Sequence, residues 1–493
     1  FSNYDLSKQS NVIQSSQIPG EERLQKRINS VYGFLDLSYA DFLFLQVTGR
    51  NDWSSTLPAK NNSYFYPSSS LSFVFSEFTK NIEWLNFGKL RLAYAGAATD
   101  ADPYQLLPTF SSSSFAGFPA HSIKDELPPI ELRPQRSESK EIGIELKLFE
   151  SRLKLDFTYY NTLSTNQIMS APLAVSSGFN SVKFNSGKMR NKGIEIIASY
   201  DVIRHRDLNW TIGFNGAMNQ NKLISLDGVN KVIEVGSFFG SAGPILQVEV
   251  GEKYGNIYGW DYLYNDKGHK VVVTRKDATG KVIGTLYKTT PTRVKIGNAT
   301  PDMTGGIYNN LRWKNFTFYA LVDYSIGGDL WSGDYATSLS SGLSPSTLLE
   351  RDGGGLPYTY PDGTKANHGI IMEGDLEDGT PNTNEVHYTW KYGRLGSWGG
   401  GNLTTPSVLR NNWFKLREVT LTYNVDKRFI EKIKIIQNMN LSITGRDLFY
   451  IYSSLPDKLN PEALSLTAGN AQGLMFGALP GMRSFSFGIN VGF

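Results

Sequence analysis

The residues able to do chemistry are few and far apart. Five histidines, His121, His205, His269, His368 and His387, are scattered along 493 residues with no HExxH pair among them. This spacing argues against a His-rich metal site and for solvated loop histidines. The chain has no cysteine, which removes thiolate ligands, cysteine nucleophiles and disulfides together. The stretch Asp375-Leu376-Glu377-Asp378-Gly379 is acidic and contains glycine, but its carboxylates do not fall at EF-hand positions, so it reads as a solvated turn. Glu141 and Glu145 have the residue types of a glycosidase pair, yet they share one strand face with Lys147 and read better as part of a hydrated wall. No GxSxG elbow, Walker loop or GxGxxG turn is present. The expectation is therefore a protein that is not an enzyme, with no resident metal and no cofactor.

Aromatic residues are the other candidates. Between Tyr254 and Lys288 stand Tyr258, Trp260, Tyr262 and Tyr264, followed by a hairpin signal at Asn265-Asp266-Lys267-Gly268. A later stretch carries Trp331, Tyr358, Tyr360 and Trp390. Of these, Trp260, Tyr262, Trp331, Tyr358, Tyr360 and Trp390 are the candidates for contact with a ligand or a partner. Such rings could stack on a flat ligand, meet another protein, or pack the loops on themselves, and their spacing leaves all three open.

What positions these residues is a period of two. Ile142, Ile144, Leu146 and Leu148 fall on one face, against Glu141, Gly143, Glu145 and Lys147. After a turn at Glu150-Ser151, Leu153, Leu155, Phe157 and Tyr159 oppose Lys154, Asp156, Thr158 and Tyr160. Ile194, Ile196, Ala198 and Tyr200 oppose Glu195, Ile197 and Ser199, and Phe316 to Tyr324 repeats the pattern with Asp323 on the polar side. The last strand sets Phe485, Phe487, Ile489, Val491 and Phe493 against Ser484, Ser486, Gly488, Asn490 and Gly492. Phe414 and Leu416 are out of phase with Val419, Leu421 and Tyr423, which predicts a bulge or a change of environment between them.

About thirteen such strands are expected, each near the ten-residue length that crosses a tilted bilayer. Short connections at Ala40-Asp41, Glu150-Ser151, Ile203 to Asp207 and Lys314-Asn315, with longer ones at Thr79 to Phe87 and Asp426 to Ile436 that can hold a helical turn, alternate with long ones. The long ones run from Asp52 to Pro67, Asp100 to Gln135, Ser164 to Gly187, Leu223 to Thr300, Asp329 to Arg410 and Tyr450 to Gly481. Short turns at one end and long loops at the other are the grammar of a transmembrane antiparallel β-barrel. No apolar run reaches the length of a membrane helix, and the mean hydropathy of -0.30 is no objection, because barrel strands alternate. Trp210 and Trp313 beside short turns, and Trp53 and Trp413 at loop ends, are placed for two aromatic girdles. The charged residues Glu145, Lys147, Asp156, Glu195, Asp323 and Arg446 are then expected to face the lumen. A net charge of +3 and the lack of a basic run give no reason to expect nucleic acid.

Several blocks resemble the SusC/RagA-like family of TonB-dependent transporters of Bacteroidota. They include Gly49-Arg50-Asn51-Asp52-Trp53-Ser54-Ser55-Thr56-Leu57-Pro58, Tyr64-Phe65-Tyr66-Pro67-Ser68, Leu71-Ser72-Phe73, Gly88-Lys89-Leu90-Arg91 and Arg190-Asn191-Lys192-Gly193-Ile194-Glu195. Thr304-Gly305-Gly306, Phe414-Lys415-Leu416-Arg417, Thr444-Gly445-Arg446-Asp447-Leu448-Phe449 and the final strand Arg483 to Phe493 continue the series in family order. The segment Gly96-Ala97-Ala98-Thr99 fits loosely and the large loops match poorly. The resemblance implies that residues 1–493 are the C-terminal portion of a barrel of about twenty-two strands, with a plug domain and early strands preceding it. It implies import of oligosaccharides or peptides through a Gram-negative outer membrane. A SusD-like lipoprotein lid and the TonB–ExbB–ExbD complex are the implied partners, the latter engaged through the N-terminal region. The C-terminal comb resembles the signal read by the barrel-assembly machinery. The chain begins with Phe1, so any leader is expected upstream. The rival readings are a passive porin or structural envelope barrel, and a secreted carbohydrate-active β-sandwich.

Overall fold

The computed structural model describes residues 23–115, 118–129, 131–226, 232–238, 243–351, 354–393, 403–430, 435–465 and 472–493. Expectations about Phe1, and the parts of the long loops and of the Asp426 to Ile436 turn that fall between these ranges, lie outside the described residues. Thirteen strands follow one another in sequence order through a single sheet. They are β1 (Ile28–Tyr39), β2 (Leu43–Ser54), β3 (Ser63–Phe73), β4 (Leu85–Thr99), β5 (Gln135–Leu148), β6 (Leu153–Pro172) and β7 (Ser181–Arg204). The series continues with β8 (Leu208–Ser225), β9 (Met303–Trp313), β10 (Phe316–Ile326), β11 (Trp413–Asn424), β12 (Asn438–Ser453) and β13 (Ser484–Gly492). Every neighbouring pair among them is antiparallel, and a two-residue strand Glu126–Leu127 lies parallel to the start of β7. Among the described residues β1 and β13 have no strand on their outer edges.

The turns form where expected. Ala40 and Asp41 both take positive φ, 47° and 56°, the hand that suits the twist of a tight hairpin. A helical turn at Lys427–Ile430 lies within the expected Asp426 to Ile436 connection, whereas the one at Phe75–Phe78 precedes Thr79, because β3 ends at Phe73 and β4 begins at Leu85. Two of the expected long loops are shorter than the sequence pattern implies. The strands β2 and β3 run on to residues 54 and 63, and β6 and β7, of 20 and 24 residues, run on to residues 172 and 181. Once two strands are paired, each further residue adds a ladder hydrogen bond with no new loop to close, so polar sequence past the wall can continue as hairpin. A strand of about ten residues crosses a bilayer, so the β6–β7 hairpin extends beyond the length of the wall.

The registers sort the side chains onto two faces. Leu92, Ile142, Phe157, Tyr159, Ile307, Leu421 and Ile443 lie on one face and are exposed there. The strand alternation places Phe485, Phe487, Ile489 and Val491 on the same face, opposite Gly445, Ile443, Leu441 and Met439 of β12. Two rows of rings cross this face. Phe214, Tyr324 and Phe414 stack at centroid distances of 6.1 and 5.7 Å, while Trp313, Phe316 and Tyr423 follow one another at 6.4 and 4.8 Å. Tyr324 and Phe316 are eight residues apart on β10, about 26 Å along the strand and ~20 Å across a sheet tilted by ~40°.

Of the four tryptophans placed in girdles by sequence, Trp53 and Trp313 are exposed on the apolar face. Trp210 lies there too, with Nε1 donating to Asn309 Oδ1 at 2.7 Å. Trp413 departs: it pairs with Ser325 on the polar face, with Tyr450 edge-on at 6.0 Å and the Arg417 guanidinium 5.9 Å from its ring.

Candidate functional site

Glu145, Lys147, Asp156, Glu195, Asp323 and Arg446 all lie on the polar face of the sheet. Glu145 stands opposite Asp156, Lys147 opposite Lys154, Asp156 opposite Ile197 two positions from Glu195, Asp323 opposite Gly306, and Arg446 opposite Glu418. The sequence does not show how they are partnered. Arg91 on β4 grips Asp156 with Nη1 and Nη2, at 2.9 and 2.6 Å, and Lys89 lies 2.7 Å from Glu145. Arg446 donates Nε to Glu418 at 2.9 Å. The Lys147 ammonium sits 4.9 Å from the Phe87 ring. Cross-strand ion pairs thus already satisfy several of these charges.

The strongest cluster grows from the phase break. Leu416 pairs with Val322 and Glu418 with Leu321, which leaves Arg417 as the extra residue of a bulge in β11. The bulge sets Lys415, Arg417 and Glu418 on one side. Arg417 then donates Nε to Asp323 at 2.6 Å, Nη1 to Asp447 at 2.5 Å and Nη2 to Glu462 at 2.5 Å. Lys415 reaches Glu462 at 2.6 Å and Asp447 at 2.8 Å, and the Tyr450 hydroxyl donates to Glu462 at 2.8 Å. Asp447 takes a positive φ of 55° opposite the bulge. Glu462 belongs to the loop after β12, so the knot ties that loop to the wall. Burial pushes the Glu462 carboxyl up, but hydrogen bonds from Arg417, Lys415 and Tyr450 outweigh it and hold the group below the usual carboxylate range. Lys415, Arg417 and Asp447 stand in the family-like blocks but nothing in their spacing assigns them a role, and Glu462 lies in a loop with no pattern of its own; the phase break in β11 is the one sequence signal of the cluster.

A second knot secures the rim at the other side. Asp100, just beyond β4, is buried and accepts from Ser54, Thr56 and Lys26. Arg50 donates Nε to Asp52 at 2.7 Å, and Tyr66 donates to the same carboxylate at 2.8 Å. Leu57, Tyr64, Ala101 and Leu132 pack beside them. The block from Gly49 to Pro58 therefore holds the loop after β4 on the wall.

Glycines in two other blocks make room for rings. A Cβ at Gly193 would crowd the Met218 carbonyl and lie 2.5 Å from the Tyr160 hydroxyl, and one at Gly305 would crowd the Asn215 carbonyl and lie 2.5 Å from the Tyr324 hydroxyl. Rings laid over strand glycines cover backbone that a side chain would otherwise cover.

The two longest loops form one body. The strands Val271–Lys276 and Val282–Tyr287 of the first lean on the second, where the Trp390 ring lies over Gly284 and Tyr287 packs with Ile370, Met372, Val386 and Tyr388. Tyr262 meets Tyr287 edge-on at 4.9 Å, and the Lys270 ammonium is 4.4 Å from the Tyr262 ring. Burial, with the charges of Glu373 and Glu350, pushes the Tyr287 phenol up to about 12. Asp375, in the acidic stretch read as solvated, is instead buried and accepts from Asn265 at 2.8 Å, with His269 Nδ1 3.0 Å away. Trp331 is only 5% exposed, packed with Leu246, Ile257 and Leu474, so it is a core residue of the loops rather than a contact residue. Trp260 is partly buried beneath the Arg293 guanidinium. Self-packing thus claims Trp331, Tyr262 and Trp390 in large part. Tyr358 and Tyr360 remain half-exposed on a small sheet of Leu356–Thr359, Lys365–Ile371 and Glu385–His387.

Two histidines that the sequence holds apart meet on that sheet. The Tyr360 hydroxyl is 2.6 Å from His368 Nδ1 and 2.9 Å from His387 Nε2. Burial and then the neighbouring His368 hold the His387 imidazole below its ordinary range. Among the described residues no group of three His, Asp or Glu side chains is placed to hold a metal ion.

With this geometry in hand, the similarities to known proteins are informative. The family described as TonB dependent receptor-like, beta-barrel matches residues 2–349. The TonB-dependent receptor P3 of Formosa agariphila is 27% identical over 94% of this chain and 45% of its own length. The TonB-dependent receptor P26 of the same organism is 26% identical over 95% of this chain and 46% of its own. The chain spans about half the length of these relatives. The structure of the RagAB peptide transporter superposes with a TM-score of 0.70 at 17% identity, covering 94% of this chain and 47% of that one. The open-open state of the RagAB peptide importer gives 0.69 at 18%, covering 95% and 47%. The likeness in shape extends the match across the strands beyond residue 349, and the chain belongs to the TonB dependent receptor-like β-barrel family.

Proposed function

We propose that this chain is the wall, rim and external loops of an outer-membrane importer of the SusC/RagA type. Its cargo is oligosaccharide or peptide, its lid a SusD-like lipoprotein, and its energy comes from the TonB–ExbB–ExbD complex. One observation carries the reading: a single thirteen-stranded sheet exposes an apolar face between two aromatic rows, while its other face is charged and self-paired. The apolar face suits lipid and the charged face suits a water-filled lumen. The two-loop body at the long-loop end suits contact with lid and cargo, because it presents Leu343 and Leu349, 78% and 77% exposed, on a packed frame. Among the described residues the outer edges of β1 and β13 are unpaired, and in hydrocarbon each orphaned group there would cost several kcal/mol, so both edges are covered in the membrane.

A secreted β-sandwich would bury the apolar face under a second sheet, and the exposure of that face counts against it. A passive porin remains the rival, separable by energetics. Cells lacking the gene are assayed for uptake of labelled oligosaccharides and peptides, with and without a functional TonB. Uptake that needs both the gene and TonB is expected; gene-dependent flux that ignores TonB would favour the porin.

A further inference from the structure

We propose that Tyr360, His368 and His387 form a binding site for one late first-row divalent metal ion, Zn2+ or Cu2+. The site is independent of the transport reading. Three donors gather around the Tyr360 oxygen, which lies 2.6 Å from His368 Nδ1 and 2.9 Å from His387 Nε2, with the two imidazole rings 5.7 Å apart between centroids. Imidazole nitrogens are the usual ligands of these cations. Bonds of about 2.0 Å in a tetrahedral arrangement place donors about 3.3 Å apart, so the phenol oxygen needs to draw away from each nitrogen by only about half an ångström.

The framework favours this small opening over a large one. His368 and His387 lie on adjacent antiparallel strands, where Gly369 pairs with His387, and Tyr360 follows the third strand of the same sheet. Donors on paired strands hold their spacing better than donors on separate loops. His387 Nδ1 is 2.7 Å from Thr389 Oγ1, and an imidazole that donates there keeps the Nε2 lone pair aimed at the ion. The rings of Tyr388, 4.5 Å from His387 and 5.6 Å from His368, and of Tyr358, 5.2 Å from His387, wall the cluster with apolar surface. Three protein donors leave a fourth position for water. The imidazoles bind as neutral ligands, and the phenol gives up its proton to solvent as the metal–oxygen bond forms, so each ion bound releases one proton.

The competing account is a hydrogen-bonded cluster only, since a phenol can donate to one imidazole and accept from the other. The experiment uses the detergent-solubilised protein with Cu2+ alone and Zn2+ alone, in competition with a moderate chelator. One ion per chain is expected at micromolar concentration, with a phenolate-to-copper charge-transfer band and two-nitrogen hyperfine coupling in the copper spectrum. Tyr360→Phe should abolish the band, and His368→Ala or His387→Ala should each weaken binding at least tenfold, with Zn2+ following the same order. The wild-type spectrum needs no variant, so it reads the site even where a substitution harms folding. No saturable binding, a spectrum lacking phenolate, or equal binding by the doubly substituted His368→Ala/His387→Ala protein would overturn the proposal.

Discussion

Arg417 Nε and Asp323 Oδ2 are 2.6 Å apart on neighbouring strands, and they meet at the bulge that leaves Arg417 without a pairing partner on β10. In an unbroken β11, Leu416 on the outward face would be followed by Arg417 inward and Glu418 outward. The bulge brings Glu418 onto the polar face as well, which spares a carboxylate from lipid, and it seats the Arg417 guanidinium among three carboxylates.

Arg417→Ala should leave Asp323, Asp447 and Glu462 clustered without their shared cation. The groups are partly exposed, so solvent screens the loss to about 1–3 kcal/mol. Arg417→Lys keeps the charge but not the fork and should fall between. Because Glu462 anchors the loop after β12, limited proteolysis should cut that loop faster in Arg417→Ala; unchanged cleavage and heat stability would show the knot to be incidental.

Ile144 and Glu145 occupy opposite faces of β5. Ile144→Arg should cost about 2–4 kcal/mol near the bilayer midplane. Spin labels should find position 144 in lipid and position 145 in water, and the reverse pattern would invert the sheet.

Gly305→Ala should crowd both the Asn215 carbonyl of β8 and the Tyr324 ring, at about 1–3 kcal/mol for overpacking. Combining it with Tyr324→Ala should cost less than the sum of the two single changes, because the ring's share of the clash is relieved while the Asn215 carbonyl still meets the new methyl. Additive losses would mean that the ring does not need the glycine.

Deleting Phe493 should lower the amount of assembled protein in the outer membrane. Phe493 follows β13, and its ring is exposed in line with Phe485, Phe487 and Ile489. Full assembly of the shortened chain, measured by heat-modifiable mobility, would reduce this comb to an ordinary strand end.

Trp390→Ala should loosen the first long loop from the second by removing the ring over Gly284, at about 1–3 kcal/mol for a half-buried tryptophan. If the two loops act as one docking body, lipoprotein pull-down and uptake should fall with this change and with shortening of either loop. Retention of both in all three variants would separate the loops from lid binding.

The wall is legible in the sequence alone because a strand writes its faces into residues two apart. Ile142 to Leu148 against Glu141 to Lys147, and Phe485 to Val491 against Ser484 to Gly492, need no knowledge of the rest of the chain. The phase break between Leu416 and Val419 revealed a bulge in the same local way. Strand ends were less legible: β6 and β7 continue to residues 172 and 181 through polar sequence, since pairing rather than apolar patterning sustains them. What only the tertiary structure decided are meetings between distant segments. Glu462 reaches Arg417 from 45 residues away, and Trp331 disappears into a core with Leu246 and Leu474. Asp375 leaves solvent to hold Asn265, and His387 finds His368 through Tyr360. Each depends on how loops close over a formed wall, and loop closure is a long-range choice among many conformations that no local period records.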